Sequence, residues 1–264
     1  MKRILLTGAA GNLGKVVRVK LAGWADVMRL SDLNEITDAT ASEEVQCCDL
    51  GDREAVMKLV EGCDGIIHLG GVSTENTFDS ILNGNIVGTY NLYEAARKHD
   101  VKRILFASSN HTIGFHERET LLDADSVMRP DCLYGVSKCY GEMLASLYHD
   151  KYGIETARVR IGSCFEKPLD RRMLATWLSA DDFVSLVKRI FECDRLGCPV
   201  IYAASANAEQ WWDNRKVGYL GWQPQDSSEK FGHEEYLQKR AGDAKDPAVR
   251  YQGGGFASAG HFED

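Results

Sequence analysis

A tyrosine and a lysine lie four positions apart near the middle of the chain, where residues 134–138 read YGVSK. In a helix this spacing places Tyr134 and Lys138 on one face. An ordinary tyrosine, with a pKa of about 10, is a poor base at neutral pH. A nearby ammonium stabilises the phenolate and lowers that pKa, which is what proton abstraction requires. The spacing is common by chance, so its meaning depends on the elements around it.

A glycine-rich turn stands near the start of the chain. Residues 7–14 read TGAAGNLG, which is GxxGxxG rather than GxGxxG. Glycine lets the backbone turn sharply and approach a pyrophosphate, and the following helix offers free N–H groups at its N-terminus. Between a strand and a helix, this turn predicts a dinucleotide site with contacts from Gly8, Gly11, Asn12, Leu13 and Gly14.

An acidic residue ends the second predicted strand, 18 positions beyond Gly14. The Asp32 carboxylate can accept hydrogen bonds from both ribose hydroxyls and repels a 2′-phosphate, which favours NAD over NADP. The alternative is an ordinary strand-end turn residue with Asn34. Neighbouring strand ends supply the other predicted cofactor contacts: Leu33, Asp49, Leu50, Leu69 and Gly70.

The first half of the chain alternates short apolar runs with helical patterns, which is typical of parallel βαβ units. Strands are predicted at 3–7, 27–31, 45–48, 65–69, 103–108 and 156–161, and helices at 12–23, 52–60, 77–98 and 132–151. The predicted fold class is therefore α/β, a Rossmann-type doubly wound parallel sheet. Because the carboxyl ends of parallel strands meet at one edge, the turns above are expected to share one ligand site.

The pattern changes after about residue 162, so we predict an NAD-binding part at 1–162 and a small, less regular substrate-binding part at 163–264, without a clean linker. Ser179 and Asp182 form a capping-box-like start to a helix at 183–191. A strand at 199–203, a Trp-rich stretch at 211–222 and a helix near 228–240 follow. The tail from Ala241 is expected to pack loosely or against a neighbouring subunit.

Composition narrows the class of protein. The 264 residues carry a formal charge of −8, which argues against a dedicated nucleic-acid binder. No apolar stretch approaches the roughly 20 residues of a membrane span, and no secretory signal stands at the start. The eight cysteines form no CxxC pair, so we expect reduced thiols, a cytoplasmic protein and no metal site.

Together, GxxGxxG, a serine at the end of the fifth strand and YxxxK resemble the short-chain dehydrogenase/reductase superfamily, in its extended, epimerase-like form. The resemblance implies that Tyr134 is the acid–base group and that Lys138 tunes it and holds the nicotinamide ribose. It also implies that Ser109, or its neighbour Ser108, bonds the reacting oxygen. Asn85 matches a helix asparagine that supports the lysine or the ribose.

A more specific resemblance, to the uronate dehydrogenases, covers nearly the whole chain. The segments HLGGVS, SSNHTIG, LYGVSKCYGE, RIGSC, RML-TW and SAN…WWDN occur in that family's order. The resemblance implies that Arg172 binds a carboxylate, with the adjacent Arg171 as the alternative, and an arginine fork suits that group. It implies nicotinamide-side contacts from Ile161 and Cys164, and sugar contacts from Ser73, Ser109, Asn110, His111, Tyr134 and Ser163.

Several of these residues have a simpler interpretation. His111 could be a buried structural histidine, and Ser73 and Ser163 could be strand-end caps. Trp211 and Trp212 are expected to pack rather than to contact substrate, and Cys164 is expected to be a small wall residue.

The resemblance implies NAD-dependent oxidation of a free hexuronate, glucuronate or galacturonate, at C1 to a lactone of the aldaric acid. It also implies a homo-oligomer. The alternatives are a nucleotide-sugar epimerase or reductase of the same superfamily, against which the small C-terminal part counts, and a non-catalytic dinucleotide sensor. The residues do not rank the two uronates.

Overall fold

A single parallel sheet of seven strands organises the protein. The computed structural model describes residues 2–238 and 242–262. The sheet order is β3-β2-β1-β4-β5-β6-β7, and every strand pair is parallel. The strands are β1 Arg3–Thr7, β2 Val27–Ser31, β3 Glu43–Val45, β4 Gly65–His68, β5 Arg103–Ser109, β6 Glu155–Ile161 and β7 Val200–Ala203. The chain runs outward from β1 in both directions, which confirms the predicted doubly wound α/β fold.

Helices cover both faces of the sheet. They are α1 Asn12–Lys20, α2 Arg53–Val60, α3 Phe78–Ile81, α4 Gly88–Lys98, α5 Leu133–Tyr152, α6 Met173–Thr176, α7 Ala180–Glu192, α8 Glu235–Gln238, α9 Pro247–Arg250 and α10 Gly255–Ser258. Apolar residues of α1 and α7 pack on one face, with Val17 and Phe183 fully buried. Those of α2, α4 and α5 pack on the other, around Leu59, Leu92 and Ala145. No described helix is long and apolar enough to cross a membrane.

Local signals explain where several helices begin and end. The Ser179 hydroxyl accepts a hydrogen bond from Asp182 N at 3.0 Å, as the capping-box pattern predicts. The Asp52 carboxylate caps α2 in the same way through Glu54 N and Ala55 N. At the other end of α5, Gly153 stops the helix with φ of +70°, a conformation that glycine adopts without strain.

Strand β3 covers Glu43–Val45, so it begins two residues and ends three residues earlier than the sequence predicts. Its residues Glu43 and Glu44 disfavour a strand by propensity, but arginines from neighbouring elements neutralise them. Arg18 bonds Glu43 at 2.6 Å and Arg29 lies 2.9 Å from Glu44. The Arg18 hydrogen bond lowers the pKa of Glu43 to about 2. These ion pairs hold the segment at the sheet edge.

The predicted helix at 77–98 is interrupted. Between α3 and α4 a π-helical segment covers Leu82–Val87, and such segments are often found at functional sites. The predicted helix near 228–240 is also divided, into a 3₁₀ turn at Ser228–Phe231 and the short α8; residues 239–241 lie outside the described ones. The division of the chain at residues 162 and 163 stays a prediction.

Candidate active site

A cleft of about 710 Å³ opens at the carboxyl ends of the central strands. Every site residue predicted from the sequence lines it except Asn85. The lining comprises the predicted cofactor contacts Gly8, Gly11, Asn12, Leu13, Gly14, Asp32, Leu33, Asp49, Leu50, Leu69, Gly70, Lys138, Ile161 and Cys164, and the predicted substrate contacts Ser73, Ser109, Asn110, His111, Tyr134, Ser163 and Arg172. One continuous cleft therefore joins the two sets.

The glycine turn requires glycine for close packing. Gly8 has φ of +70°, and a Cβ there would lie 2.7 Å from the carbonyl carbon of Leu69. A Cβ on Gly14 would lie 2.0 Å from the Gly8 oxygen. Helix α1 begins directly after this turn with no side-chain cap, so its first N–H groups are free to bind an anion. The turn thus fits a diphosphate group.

Asp32 forms a strand-end turn with Asn34, and its contact with a ribose stays a prediction. Its Oδ1 accepts hydrogen bonds from Asn34 N and Nδ2 at 3.0 and 3.2 Å, and its Oδ2 accepts one from Ala10 N at 3.0 Å. These bonds fix the carboxylate at the end of β2, where it also lines the cleft. A carboxylate has about four lone-pair sites, so it can still accept from ribose hydroxyls.

Tyr134 and Lys138 lie together at the bottom of the cleft, and both are buried. The Lys138 ammonium nitrogen is 5.6 Å from the centre of the Tyr134 ring. Burial raises the pKa of Tyr134 to about 12, although a hydrogen bond with Ser109 opposes the rise. Burial lowers the pKa of Lys138 to about 8. In the protein by itself, burial therefore outweighs the expected lowering of the tyrosine pKa.

The structure distinguishes Ser109 from Ser108. Ser108 donates to the buried Glu142 carboxylate at 2.5 Å, and Glu142 also forms a bidentate pair with Arg160 at 2.8 and 2.9 Å. Ser109 Oγ instead accepts from His111 N at 3.2 Å, lines the cleft together with Tyr134, and acts to lower the pKa of that tyrosine. This arrangement favours Ser109 as the group beside the reacting oxygen.

Asn85 lies behind the cleft wall, within the π-helical segment. Its Oδ1 accepts from Val72 N at 2.7 Å, and its Nδ2 donates to Val72 O at 3.0 Å and to Ser137 Oγ at 2.9 Å. It thus ties the loop that carries Ser73 to the helix that carries Lys138. Its predicted contact with the lysine or the ribose stays a prediction.

His111 is held by an acidic partner. Its Nδ1 lies 2.9 and 3.1 Å from the two oxygens of Asp131, whose side chain is fully buried. A Cβ on Gly114 or Gly253 would lie within 1.9 Å of Asp131 Oδ2, so glycine is required at both positions. Phe256 stacks on the imidazole with ring centres 3.9 Å apart. His111 is therefore structurally satisfied through Nδ1 and still lines the cleft.

The two adjacent arginines have different surroundings. Arg171 is exposed, whereas Arg172 lines the cleft. Arg172 Nη1 donates to Gln252 O at 3.0 Å and Nη2 donates to Ser163 Oγ at 3.4 Å. With its amide oriented to satisfy both atoms, Asn110 also accepts from Arg172 Nη1 at 3.3 Å. This geometry favours Arg172 as the carboxylate ligand.

The remaining candidates have simple surroundings. Ser163 Oγ lies 2.9 Å from Thr176 Oγ1, and burial raises the pKa of the Cys164 thiol to about 12, consistent with a wall residue and not a nucleophile. Trp211 Nε1 donates to Glu209 and Trp212 Nε1 to Gln252, and neither ring lines the cleft. Both tryptophans pack, as predicted.

Sequence reasoning missed three residues at the substrate end: Asp131, Gln252 and Phe256. Asp131 stands just before α5, where an acidic residue is usually read as a helix cap. Gln252 and Phe256 belong to the tail that was expected to pack loosely. The glycine run at 253–255 was the available signal, because consecutive glycines permit close backbone approach.

Comparisons with known proteins agree with this geometry. Residues 4–192 match the sequence model of the NAD dependent epimerase/dehydratase family. The chain is 55% identical to a uronate dehydrogenase of Pseudomonas putida, covering 98% of this chain and 97% of that protein. It is also 55% identical to one of Agrobacterium fabrum, covering 97% of each.

Solved structures show the same relationship. The crystal structure of uronate dehydrogenase from Agrobacterium tumefaciens matches with a TM-score of 0.97 at 53% identity, covering 100% of this chain and 99% of that one. A mutant of that enzyme complexed with NAD also matches with a TM-score of 0.97 at 53% identity, covering 100% of both chains.

Proposed function

Because the chain belongs to the NAD dependent epimerase/dehydratase family and, within it, to the uronate dehydrogenases, we propose that it oxidises free hexuronates at C1 with NAD. Glucuronate and galacturonate are the proposed substrates, and the product is a lactone of the aldaric acid. This would place the protein in hexuronate catabolism.

Arg172 carries the proposal for a charged substrate. Within residues 2–238 and 242–262, it has no ion pair, and its hydrogen-bond partners are the neutral oxygens of Gln252, Ser163 and Asn110. Burial lowers its pKa, which reflects the cost of holding a cation away from water. A ligand carboxylate would supply the missing counter-charge, and a neutral sugar would not.

The cleft fits the dinucleotide in chemical terms. The uncapped start of α1 suits the diphosphate, and Asp32 suits the adenosine ribose. Lys138, which also lines the cleft beside Tyr134, would bond the nicotinamide ribose. When bound, NAD supplies the acceptor for the hydride that leaves C1.

The protein's own residues provide orientation and proton transfer. Ser109 and Tyr134 would both bond the C1 hydroxyl, since both line the cleft and Ser109 acts on the pKa of Tyr134. The Tyr134 phenolate would take the hydroxyl proton. His111 and Arg172 would hold the distant hydroxyls and the carboxylate. The ring remains closed throughout, so the oxidised sugar leaves as a lactone.

The protein is proposed to form a homo-oligomer and to reside in the cytoplasm. Val136, Met143 and Leu147 lie exposed along one side of α5, and Tyr90 on the neighbouring α4 is exposed as well. An apolar stripe of this kind supports contact with a second copy. All eight cysteines are unpaired, which supports a reducing compartment. Analytical ultracentrifugation would test the oligomer.

Initial rates of NADH formation, followed by ultraviolet absorbance, test the function. The purified protein would receive NAD or NADP with glucuronate, galacturonate, glucose or galactose. We expect turnover of both uronates with NAD and almost none of the neutral sugars. Comparable turnover of neutral sugars would overturn the carboxylate argument. If the protein keeps its cofactor bound and forms no net NADH, it would instead be an epimerase. If it binds the cofactor but turns over no sugar acid, it would be a dinucleotide sensor.

A further inference from the structure

Gln252 is a fully buried polar residue in the C-terminal tail, followed by the buried Gly253 and Gly254. Its side-chain Oε1 accepts from Trp212 Nε1 at 2.9 Å. Its Nε2 donates to the carbonyls of Thr120 at 2.8 Å and of Glu117 at 3.3 Å. The side chain therefore has a partner on every side, which fixes the backbone of the tail at this point.

The backbone carbonyl of Gln252 points the other way, toward the cleft. It accepts the 3.0 Å hydrogen bond from Arg172 Nη1. Two residues later, a Cβ on Gly254 would lie 2.7 Å from both Cδ and Nε of Arg172, so the tail also lies directly against the arginine stem. The tail thus contacts Arg172 by a hydrogen bond and by close packing.

We propose that Gln252 is a positioning residue for Arg172, anchored in turn by Trp212. The inference rests on the proposed role of Arg172 in binding the uronate carboxylate. A long arginine side chain has many rotamers to lose, and a carboxylate must meet its guanidinium in a fixed plane. A fixed carbonyl on one side of the guanidinium limits its rotation before substrate arrives. Binding the carboxylate then costs less conformational entropy.

This arrangement gives the Trp-rich segment and the tail a shared role. Trp212 does not line the cleft. Its indole N–H bonds the side chain of Gln252, whose backbone carbonyl in turn accepts the hydrogen bond from Arg172. The neighbouring Trp211 is buried to a similar degree, and its N–H bonds Glu209 at 2.8 Å instead. The two tryptophans therefore form a matched pair, of which only Trp212 bonds Gln252.

The test compares Trp212→Phe and Gln252→Met with Trp211→Phe as the control. Phenylalanine keeps an aromatic ring and removes the N–H, and methionine keeps the length of glutamine. For Trp212→Phe and Gln252→Met we expect KM for galacturonate to rise about fivefold to tenfold, as for a lost buried hydrogen bond. We expect kcat within about twofold and an unchanged Kd for NADH, measured by fluorescence. Trp211→Phe should leave KM unchanged.

The same changes in an Arg172→Ala background decide whether Gln252 acts through the arginine. If it does, Trp212→Phe adds no further rise in KM there. A rise that persists without Arg172, or an unchanged KM in both Trp212→Phe and Gln252→Met, would overturn the positioning role and leave the proposed function intact. If Arg172→Ala itself left KM unchanged, the carboxylate assignment would fail, and this inference with it.

Discussion

Removing the guanidinium of Arg172 should selectively abolish recognition of the substrate's acid group. Of its five N–H donors, three are used by Gln252, Ser163 and Asn110. The remaining two are the number that a carboxylate accepts in a bidentate pair. Each hydrogen bond to a charged group contributes about 1.5–3 kcal/mol. For Arg172→Ala we therefore expect kcat/KM for uronates to fall by between about 10² and 10⁴.

The assay is the initial rate of NADH formation at saturating NAD with varied glucuronate or galacturonate. The loss should appear in KM more than in kcat, because the carboxylate lies away from the reacting carbon. Arg171→Ala, at the exposed neighbour, is the matched control and should behave like the parent protein. A kcat/KM for Arg172→Ala within about threefold of the parent would refute the reasoning, and a large loss for Arg171→Ala would move the contact to that residue.

Tyr134→Phe should lower kcat by about 10² or more while NADH binding, followed by fluorescence, stays unchanged. Because burial raises the pKa of Tyr134 to about 12, the fraction of phenolate grows as pH increases above neutral. The kcat/KM should therefore rise as pH increases above neutral, and in Lys138→Met the rise should move to higher pH, because the ammonium that stabilises the phenolate is lost. Asp32→Ala should raise kcat/KM for NADP relative to NAD, since the repelling carboxylate is lost. Glu142→Gln leaves the buried Arg160 without its counter-charge and should lower the free energy of unfolding in urea by about 3–5 kcal/mol.

Each of these expectations has a contrary result. Comparable turnover in Tyr134→Phe would remove that residue from the mechanism, and an unshifted pH profile in Lys138→Met would assign the titration to another group. A retained NAD preference in Asp32→Ala would show that another residue sets it. Unfolding of Glu142→Gln within about 1 kcal/mol of the parent would mean that water or rearrangement compensates the buried arginine.

Much of the fold could be predicted because its signals are local. The apolar runs of β1 and β2 end where predicted, and the alternation of strand and helix determined the α/β class. The prediction of β3 was wrong by two residues at its start and three at its end because its glutamates are stabilised by arginines distant in sequence. The π-helical segment at Leu82–Val87 was missed because apolar spacing does not distinguish it from a continuous helix.

The composition of the site was also accessible from the sequence. Turn chemistry and strand ends placed Gly8, Asp32 and Ser109 at one edge of a parallel sheet, the YxxxK motif and the family resemblance added Tyr134, and these residues line one cleft. The strand-end residues share this cleft for a topological reason: in a parallel sheet, every carboxyl end points to the same side.

Only the tertiary structure decided the pKa shifts of the site residues and which tail residues contact the substrate end of the cleft. Burial depends on the surrounding chain, so the raised pKa of Tyr134 and the contrast between the exposed Arg171 and the half-buried Arg172 have no local signal. The tail meets the site only through contacts of long sequence separation, such as Gln252 with Arg172 and Phe256 with His111. Residue types and spacing determine which chemistry is available, because backbone preferences and turn geometry are local. Packing determines which of two identical side chains, such as Arg171 and Arg172, is placed to bind the ligand. Their burial and their hydrogen-bond partners exist only in the folded chain.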